Sequence, residues 1–116
     1  MKIKTSELSG AALDWAVAKC EGREFEAAES FLSYYDEGYM RYSTDWDQGG
    51  PIIERERITL RVDTTPGSSW VAFLDSAAIG HYPHRQRGPT PLIAAMRCFV
   101  ASKLGDEVEI PEELCP

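Results

Sequence analysis

The most regular hydrophobic pattern in the chain lies between residues 91 and 104. Apolar side chains recur there at three- and four-residue spacing, which is typical of a helix with one face in a core; they are Leu92, Ile93, Met96, Phe99, Val100 and Leu104. Thr90 is suited to cap this helix, Pro91 to begin it, and Gly105 to end it. We therefore predict a core-packing helix over 91–104.

A second helical pattern covers residues 9–21 and is followed by Gly22. Its apolar stripe consists of Leu13, Ala16, Val17 and Cys20. Trp15 lies at the edge of that stripe, so it is either a boundary residue of the core or a contact for a partner. Ile3, between two lysines, predicts a short edge strand ahead of this helix.

Two later segments have the patterns of strands. Residues 57–62 alternate polar and apolar side chains, as a half-buried strand does, whereas residues 70–74 are apolar on both faces and suit a central strand. Pro66 and Gly67 supply turn chemistry between them, so the two segments predict an antiparallel hairpin. The fold class is therefore α+β: a small, mainly antiparallel sheet packed against two or three helices, with helix 91–104 central to the core.

Four segments have weaker patterns. Residues 24–35 fit a helical stripe, but the region 24–42 stays undecided between helix and strand, because the aromatic residues of 39–42 favour a short strand. Residues 43–51 contain Gly49, Gly50 and Pro51 in succession, so we predict irregular structure there. Residues 76–90 are expected to form a loop, and Val108 and Ile110 to form a short strand or to attach the tail to the body.

Length and charge limit the possible functions. The 116 residues contain 12 lysines and arginines against 19 acidic residues, a net charge of −7. This length predicts one domain over 1–116, with an acidic tail at 106–116. The acid excess argues against bulk binding of nucleic acid. No apolar run reaches the roughly 18 residues of a membrane helix, and no secretory signal is visible.

The three cysteines are odd in number and widely spaced, which favours free thiols in a reducing cytosol. No Gly-x-Ser-x-Gly turn, Walker motif or dinucleotide glycine pattern occurs, so we expect no cofactor, and an enzyme is the less favoured interpretation. Cys98 and His81 could form a nucleophile and base, but apolar packing is the better explanation of Cys98. Asp45 and Glu54 could form an acid–base pair, but turn formation is the better explanation of an acidic residue in a glycine-rich loop.

The segment from Asp45 to Glu56 imitates an EF-hand calcium loop, with Asp47 in third place. Its fifth position is Gly49, which has no ligand atom in its side chain, and its seventh is Pro51. Turn formation by the two aspartates therefore explains the pattern better than metal binding does. A second candidate is an anion site formed by Arg85, Arg87 and the helix start at Thr90, where backbone N–H groups are free. Its alternative is a solvated loop over an ordinary helix cap.

Several blocks of the chain resemble the NinX-like proteins of lambdoid phages and enterobacterial prophages. They are Leu13-Asp14-Trp15-Ala16-Val17-Ala18-Lys19, Ser43-Thr44-Asp45-Trp46, Gln48-Gly49-Gly50-Pro51-Ile52-Ile53-Glu54-Arg55-Glu56, Gly88-Pro89-Thr90-Pro91-Leu92-Ile93-Ala94-Ala95-Met96-Arg97 and Gly105-Asp106-Glu107-Val108. The blocks keep their order almost from end to end. The resemblance implies a phage accessory protein in the host cytoplasm, and it implies no activity and no catalytic residue.

The leading hypothesis is a small interaction module that binds an unidentified host or phage protein. Its expected contact residues lie in and around the motif blocks: Trp15, Asp45, Trp46, Gln48, Gly49, Gly50, Glu54 and Arg97. The alternative is a small-ligand, anion- or nucleotide-binding protein or a minor enzyme that uses the loop 43–56 and the helix start at 90–91. Charge is expected to be polarised, with acidic residues at 24–37 and in the tail and basic residues at 81–87.

Overall fold

A computed structural model describes residues 1–67, 69–74 and 84–115. These residues form four α-helices, five short strands and two single 3-10 turns. The helices are α1 (Gly10–Cys20), α2 (Ala28–Asp36), α3 (Trp46–Glu56) and α4 (Pro91–Leu104), and the strands are β1 (Lys2–Lys4), β2 (Ile58–Val62), β3 (Trp70–Leu74), β4 (Gln86–Gly88) and β5 (Glu107–Glu109). The predicted α+β class is confirmed, with four helices where two or three were expected.

Helix α4 is the centre of the core, as predicted. Its buried face includes Met96, Phe99 and Val100, and it packs on α1 and on the sheet. Thr90 caps it, since its Oγ1 accepts a 3.1 Å hydrogen bond from the backbone N–H of Ile93. The predicted hairpin is also confirmed: β2 and β3 are antiparallel, and β3 is the middle strand of the order β2-β3-β4.

Strand β4 corrects the prediction of a loop over 76–90. Its three residues, Gln-Arg-Gly, have no apolar alternation, and they become a strand only by pairing with β3. Gly88 allows this strand to approach α4 closely, because a Cβ there would be 2.8 Å from the backbone nitrogen of Ala94. Predictions that concern residues 75–83, including the role of His81, lie outside the described residues.

The two ends of the chain pair with each other. Strands β1 and β5 are antiparallel, with Ile3 opposite Val108 and the lysines of β1 opposite the glutamates of β5. The amino group of Met1 donates to the carbonyl of Ile110 at 3.0 Å, and Val108 and Ile110 are buried. The edge strand predicted at Ile3 is confirmed, and the tail forms a strand that is part of the core.

The prediction of irregular structure over 43–51 is wrong, because helix α3 begins at Trp46 and runs through both glycines and the proline. Asp45 caps it: its Oδ1 accepts a 2.9 Å hydrogen bond from the N–H of Asp47. Gly49 is buried where a Cβ would overlap the carbonyl oxygen of Tyr42 and the side chain of Leu92. This glycine therefore serves close packing and does not interrupt the helix.

The undecided region 24–42 contains helix α2 and no strand, so the strand predicted over 39–42 is wrong. The chain reverses after α2 through two residues of positive φ, Gly38 at 102° and Met40 at 57°. Such dihedrals are incompatible with an extended strand. The reversal brings the end of α2 beside the beginning of α3, and a groove separates them.

Candidate functional site

Described residues line an open groove of about 1280 Å³. One wall is the segment from Arg23 to Glu26 with the outer face of α2, and the other is the first turn of α3. The chain reversal at 37–40 closes one end. We call this concavity the α2–α3 groove.

The groove is acidic. Four exposed carboxylates line it, Glu24, Glu26, Glu37 and Asp47, and none of them forms an ion pair within the parts of the chain that the structure describes. A fifth, Asp45, is used by the helix cap. The lining contains one cationic residue, Arg23. The local charge therefore leaves this surface complementary to a cation.

Two exposed tyrosines line the same groove. Tyr34 on α2 is 54% exposed and Tyr39 in the chain reversal is 61% exposed. Trp46 is 54% exposed at the start of α3, between two of the lining aspartates. Exposed aromatic rings offer large apolar area with few rotatable bonds, and they are the residues that most often carry binding energy in interfaces. The groove therefore combines unpaired negative charge with accessible aromatic surface.

Gln48 connects the α3 wall of the groove to the chain reversal that closes its end. Its Nε2 donates to the carbonyl of Gly38 at 2.8 Å and to Oδ2 of Asp45 at 2.9 Å. Its Oε1 accepts a 2.8 Å hydrogen bond from the backbone N–H of Arg41. One side chain on α3 thus ties down both ends of the chain reversal. The groove is formed before any partner arrives, which lowers the entropic cost of binding.

Arg41 connects the chain reversal to the end of α2. Its guanidinium lies 3.9 Å from the centre of the Tyr35 ring and donates twice to the Tyr35 carbonyl, at 2.9 and 2.7 Å. The same carbonyl, in the last turn of α2, also accepts a 3.0 Å hydrogen bond from the backbone N–H of Gly38. The end of α2 is therefore fixed where it meets the groove.

A buried carboxylate lies behind this region. Asp14 on α1 has no exposed surface, and its Oδ1 accepts a 2.8 Å hydrogen bond from the backbone N–H of Ser43. Its Oδ2 and the hydroxyl oxygen of Ser43 are buried without a hydrogen-bond partner among the described residues. Burial raises the pKa of Asp14 from its usual 3.8 to about 6, although interactions with Ser43, Tyr35 and Arg41 lower it.

The expected contact residues do not all meet at one place. Asp45 and Gln48 line the groove, Gly49 and Gly50 form the helix behind them, and Trp46 stands beside it. The other three are elsewhere. Glu54 is exposed near the far end of α3, Trp15 is half-buried on α1 under Lys19, and Arg97 lines a different cleft.

Pattern reasoning missed three features of the site: Asp14, Gln48 as a bridge, and the two exposed tyrosines as one surface with α3. Asp14 is hidden in the sequence because it lies inside an apolar helical stripe. That anomaly was the available signal, since an unpaired charged residue is rarely placed on a buried face. The tyrosines are a visible cluster in the sequence, but their position opposite Asp47 depends on the chain reversal.

The three residues of the calcium-loop pattern are not brought together. Asp45 and Asp47 lie at the start of α3 and Glu56 at its end, so about 14–16 Å along the helix axis separates Glu56 from the two aspartates. Glu56 instead pairs with Arg55 at 2.8 Å and with Lys103 at 3.6 Å. Within residues 1–67, 69–74 and 84–115, no three His, Cys, Asp or Glu side chains are grouped so that they could hold a metal ion.

The residues of the expected anion site have different environments. Thr90 uses its hydroxyl oxygen to cap α4, and Arg87 donates from Nε to Oδ2 of Asp63 at 2.8 Å. Arg85 is exposed and forms no ion pair with the described residues. The two arginines line a second, smaller cleft together with Arg97, and Thr90 does not line it.

Two cysteine thiols are poorly suited to nucleophilic chemistry. Burial raises the pKa of Cys98 to about 12 and that of Cys20 to about 11. Because the thiolate is the nucleophile, both sulfurs are held in their unreactive form near neutral pH. Cys98 lies in the middle of α4 and is fully buried, in keeping with apolar packing.

None of the helices in the described part of the chain has both the length and the apolar character needed to cross a membrane.

Comparison with known proteins identifies the family to which the chain belongs. A search of curated proteins gives no significant match. The model of the family described as bacteriophage P22, NinX matches residues 4–103. The match includes α1, α2, α3, all of α4 except its last residue, the sheet β2-β3-β4 and the whole lining of the α2–α3 groove. The chain therefore belongs to the bacteriophage P22 NinX family.

Proposed function

We propose that this phage accessory protein is an interaction module, and that its α2–α3 groove binds a basic, extended segment of a host or phage protein in the bacterial cytoplasm. The observation that carries the proposal is the coincidence of four unpaired carboxylates and two exposed tyrosines along one preformed concavity. In this proposal residues 1–116 act as a single domain and contribute no catalytic step.

Charge and aromatic surface supply different parts of the binding energy. Carboxylates such as Glu24, Glu37 and Asp47 attract arginine or lysine side chains from a distance and set the register of the segment. The rings of Tyr34 and Tyr39 offer faces on which a guanidinium or an apolar side chain can stack. A segment that alternates basic and small residues would satisfy both, because its basic side chains can reach the two walls without steric conflict.

The groove suits a peptide better than a compact small molecule. It is open along its length, and its polar groups are dispersed over both walls. Small-molecule sites are more enclosed and concentrate a few polar groups around the ligand. The carboxylates of the groove, from Glu24 to Asp47, are separate from one another. An extended segment can contact them one after another along its length.

The proposal can be tested with a labelled peptide of alternating arginine and serine and a matched peptide of alternating glutamate and serine. Fluorescence anisotropy should detect binding of the first alone, and the affinity should fall as salt rises. Replacing both Glu24 and Glu37 by glutamine should weaken binding about tenfold. The matched control is Glu112→Gln with Glu113→Gln, which changes the net charge equally at two exposed positions outside the groove.

A second test of the proposal uses the two exposed tyrosines of the groove. The Tyr34→Ala/Tyr39→Ala variant should lose binding while its thermal transition stays close to that of the parent, because both side chains are mostly exposed. Amide chemical shifts that move at residues 24–26, 34–39 and 45–48 on peptide addition would locate the contact. Equal weakening by the groove variant and the tail variant, or shifts confined to other surfaces, would refute the groove as the binding site.

A further inference from the structure

A second cleft, of about 380 Å³, lies between β4 and α4 and has the opposite charge from the groove. Three arginines line it: Arg85 before β4, Arg87 within β4 and Arg97 on α4. Ser6 and Gln86 add polar groups, and no carboxylate is part of the lining formed by described residues. In a chain of net charge −7, three cations around one small concavity are an unusual concentration.

Arg97 is held in place and incompletely satisfied. Its Nε donates to the carbonyl of Leu8 and its Nη1 to the carbonyl of Arg87, both at 2.8 Å. Its Nη2 makes no hydrogen bond to the residues that the structure describes. The guanidinium is half-buried, and burial lowers the pKa of Arg97. A partly desolvated cation with free N–H groups is stabilised when an anion approaches it.

Arg87 is oriented by an acid that lies outside the lining of the cleft. The side chain of Asp63 is only 7% exposed, and its Oδ2 accepts from Nε of Arg87 at 2.8 Å. This ion pair uses Nε, and neither Nη group of Arg87 makes a hydrogen bond to the part of the chain that the structure describes. Arg85 is exposed and can close over whatever enters. Three guanidinium-bearing side chains thus line one small concavity.

We propose that this cleft binds a phosphate group, with Arg97 as its fixed base and Arg87 and Arg85 as its sides. Planar guanidinium groups match the oxygen spacing of a phosphate and bind it through paired N–H donors. The cleft has room for one phosphate and a small attached group. The phosphate can belong to a small phosphate ester or to the end of a nucleic acid strand. This proposal adds Arg97 to the anion site expected from the sequence and removes Thr90 from it.

The site is independent of the groove, since no residue lines both. Binding of a basic segment in the groove and of a phosphate in the cleft can therefore be separated by experiment. A protein that failed to bind basic peptides and still bound phosphate would support the cleft while refuting the groove.

The test is a titration followed by NMR at the arginine side-chain Nε–H and backbone amides. Four probes are used: inorganic phosphate, adenosine monophosphate, a 5′-phosphorylated oligonucleotide and the same oligonucleotide without its 5′-phosphate. Saturable shifts at Arg97 and residues 85–88 are expected with the phosphate monoesters, and no shift with the unphosphorylated strand. Tighter binding of the mononucleotide would indicate a small ester, and tighter binding of the phosphorylated strand a nucleic acid end.

Two variants separate a binding role from a structural one. Arg87→Gln should reduce affinity about tenfold, but it also leaves Asp63 without its ion pair. Arg85→Gln removes no contact with the described residues, so its loss of affinity, about threefold or more, reports binding alone. The control is Arg57→Gln, an exposed arginine outside the cleft. No shift at these residues with any probe, or an equal loss in the control variant, would overturn the proposal.

Discussion

The carboxylate of Asp14 on α1 accepts a 2.8 Å hydrogen bond from the backbone N–H of Ser43, which precedes the cap of α3. Both groups are buried, and this hydrogen bond anchors the chain segment that connects the chain reversal at 37–40 to α3. The negative charge of Asp14 strengthens this hydrogen bond, but burying that charge costs free energy. The cost is increased because Oδ2 of the same carboxylate has no hydrogen-bond partner among the described residues.

Stability should therefore depend on pH through Asp14. Its pKa is about 6 in the folded state and 3.8 in its usual setting, so the folded protein binds the proton more tightly than the unfolded chain does. The free energy of unfolding should fall as pH rises from about 4 to about 6 and then level off, by up to roughly 3 kcal/mol. Urea unfolding of the parent and of Asp14→Asn across this range measures the difference.

Asp14→Asn should remove that pH-dependent component and match or exceed the parent in stability above pH 6, because the amide oxygen still accepts from Ser43. Asp14→Ala serves as the contrast, since it leaves the Ser43 N–H buried without an acceptor, at a cost of about 1–3 kcal/mol. A difference between parent and Asp14→Asn that stays constant with pH would contradict the raised pKa.

The adjacent glycines of α3 should respond to alanine in opposite directions. A Cβ at Gly49 would overlap the Tyr42 carbonyl and lie 2.8 Å from Cδ2 of Leu92, so Gly49→Ala should cost about 1–3 kcal/mol. At Gly50 the nearest atom to a Cβ is on Trp46 at 3.8 Å, which is ordinary contact. Gly50→Ala should stabilise the helix by up to about 1 kcal/mol. Thermal unfolding of the two variants gives the comparison, and destabilisation of equal size at both positions would show that packing at residue 49 is not the cause.

The glycines of α3 also show which parts of the fold could be predicted from the sequence alone. Helix α4 was predictable because its cap at Thr90, its apolar stripe and its terminal Gly105 all indicate the same element. Helix α3 was not, since the reason for Gly49 lies in a distant carbonyl and not in the neighbouring residues. The local pattern of this segment therefore predicts a turn, whereas tertiary packing stabilises a helix there.

Some positions of the expected contact residues could be predicted from the sequence, and others could not. Asp45 and Gln48 were expected to contact a partner, and they line the groove. Tyr34 and Tyr39 could not be assigned to the same surface from spacing alone, because the positive φ angles of Gly38 and Met40 determine where the chain turns. Arg97 was expected among the same contact residues and instead lines the arginine cleft, since α4 packs against β4.

Gln48 should control the rigidity of the groove more than the stability of the fold. Gln48→Ala removes hydrogen bonds to Gly38, Asp45 and the Arg41 backbone, and all three lie at the rim of the structure. Hydrogen exchange at the Arg41 amide should accelerate by about tenfold or more, with little change in α4. Peptide affinity should fall with it. Unchanged exchange at Arg41 would mean that the chain reversal is held by other contacts.

Removal of residues 106–116 should unfold the protein, although the segment is acidic and resembles a solvated tail in sequence. Val108, Ile110 and Leu114 are buried, and β5 is the partner of β1 in its sheet. Burial of side chains of this size contributes about 1.5–3 kcal/mol each, so their loss approaches the whole stability of a small domain. Circular dichroism and thermal melting of the truncated chain measure this, and Glu112→Gln with Glu113→Gln provides a control that removes charge without removing core. A truncated chain that melts cooperatively near the parent temperature would mean that the tail is a peripheral arm, available for binding and not needed for the fold.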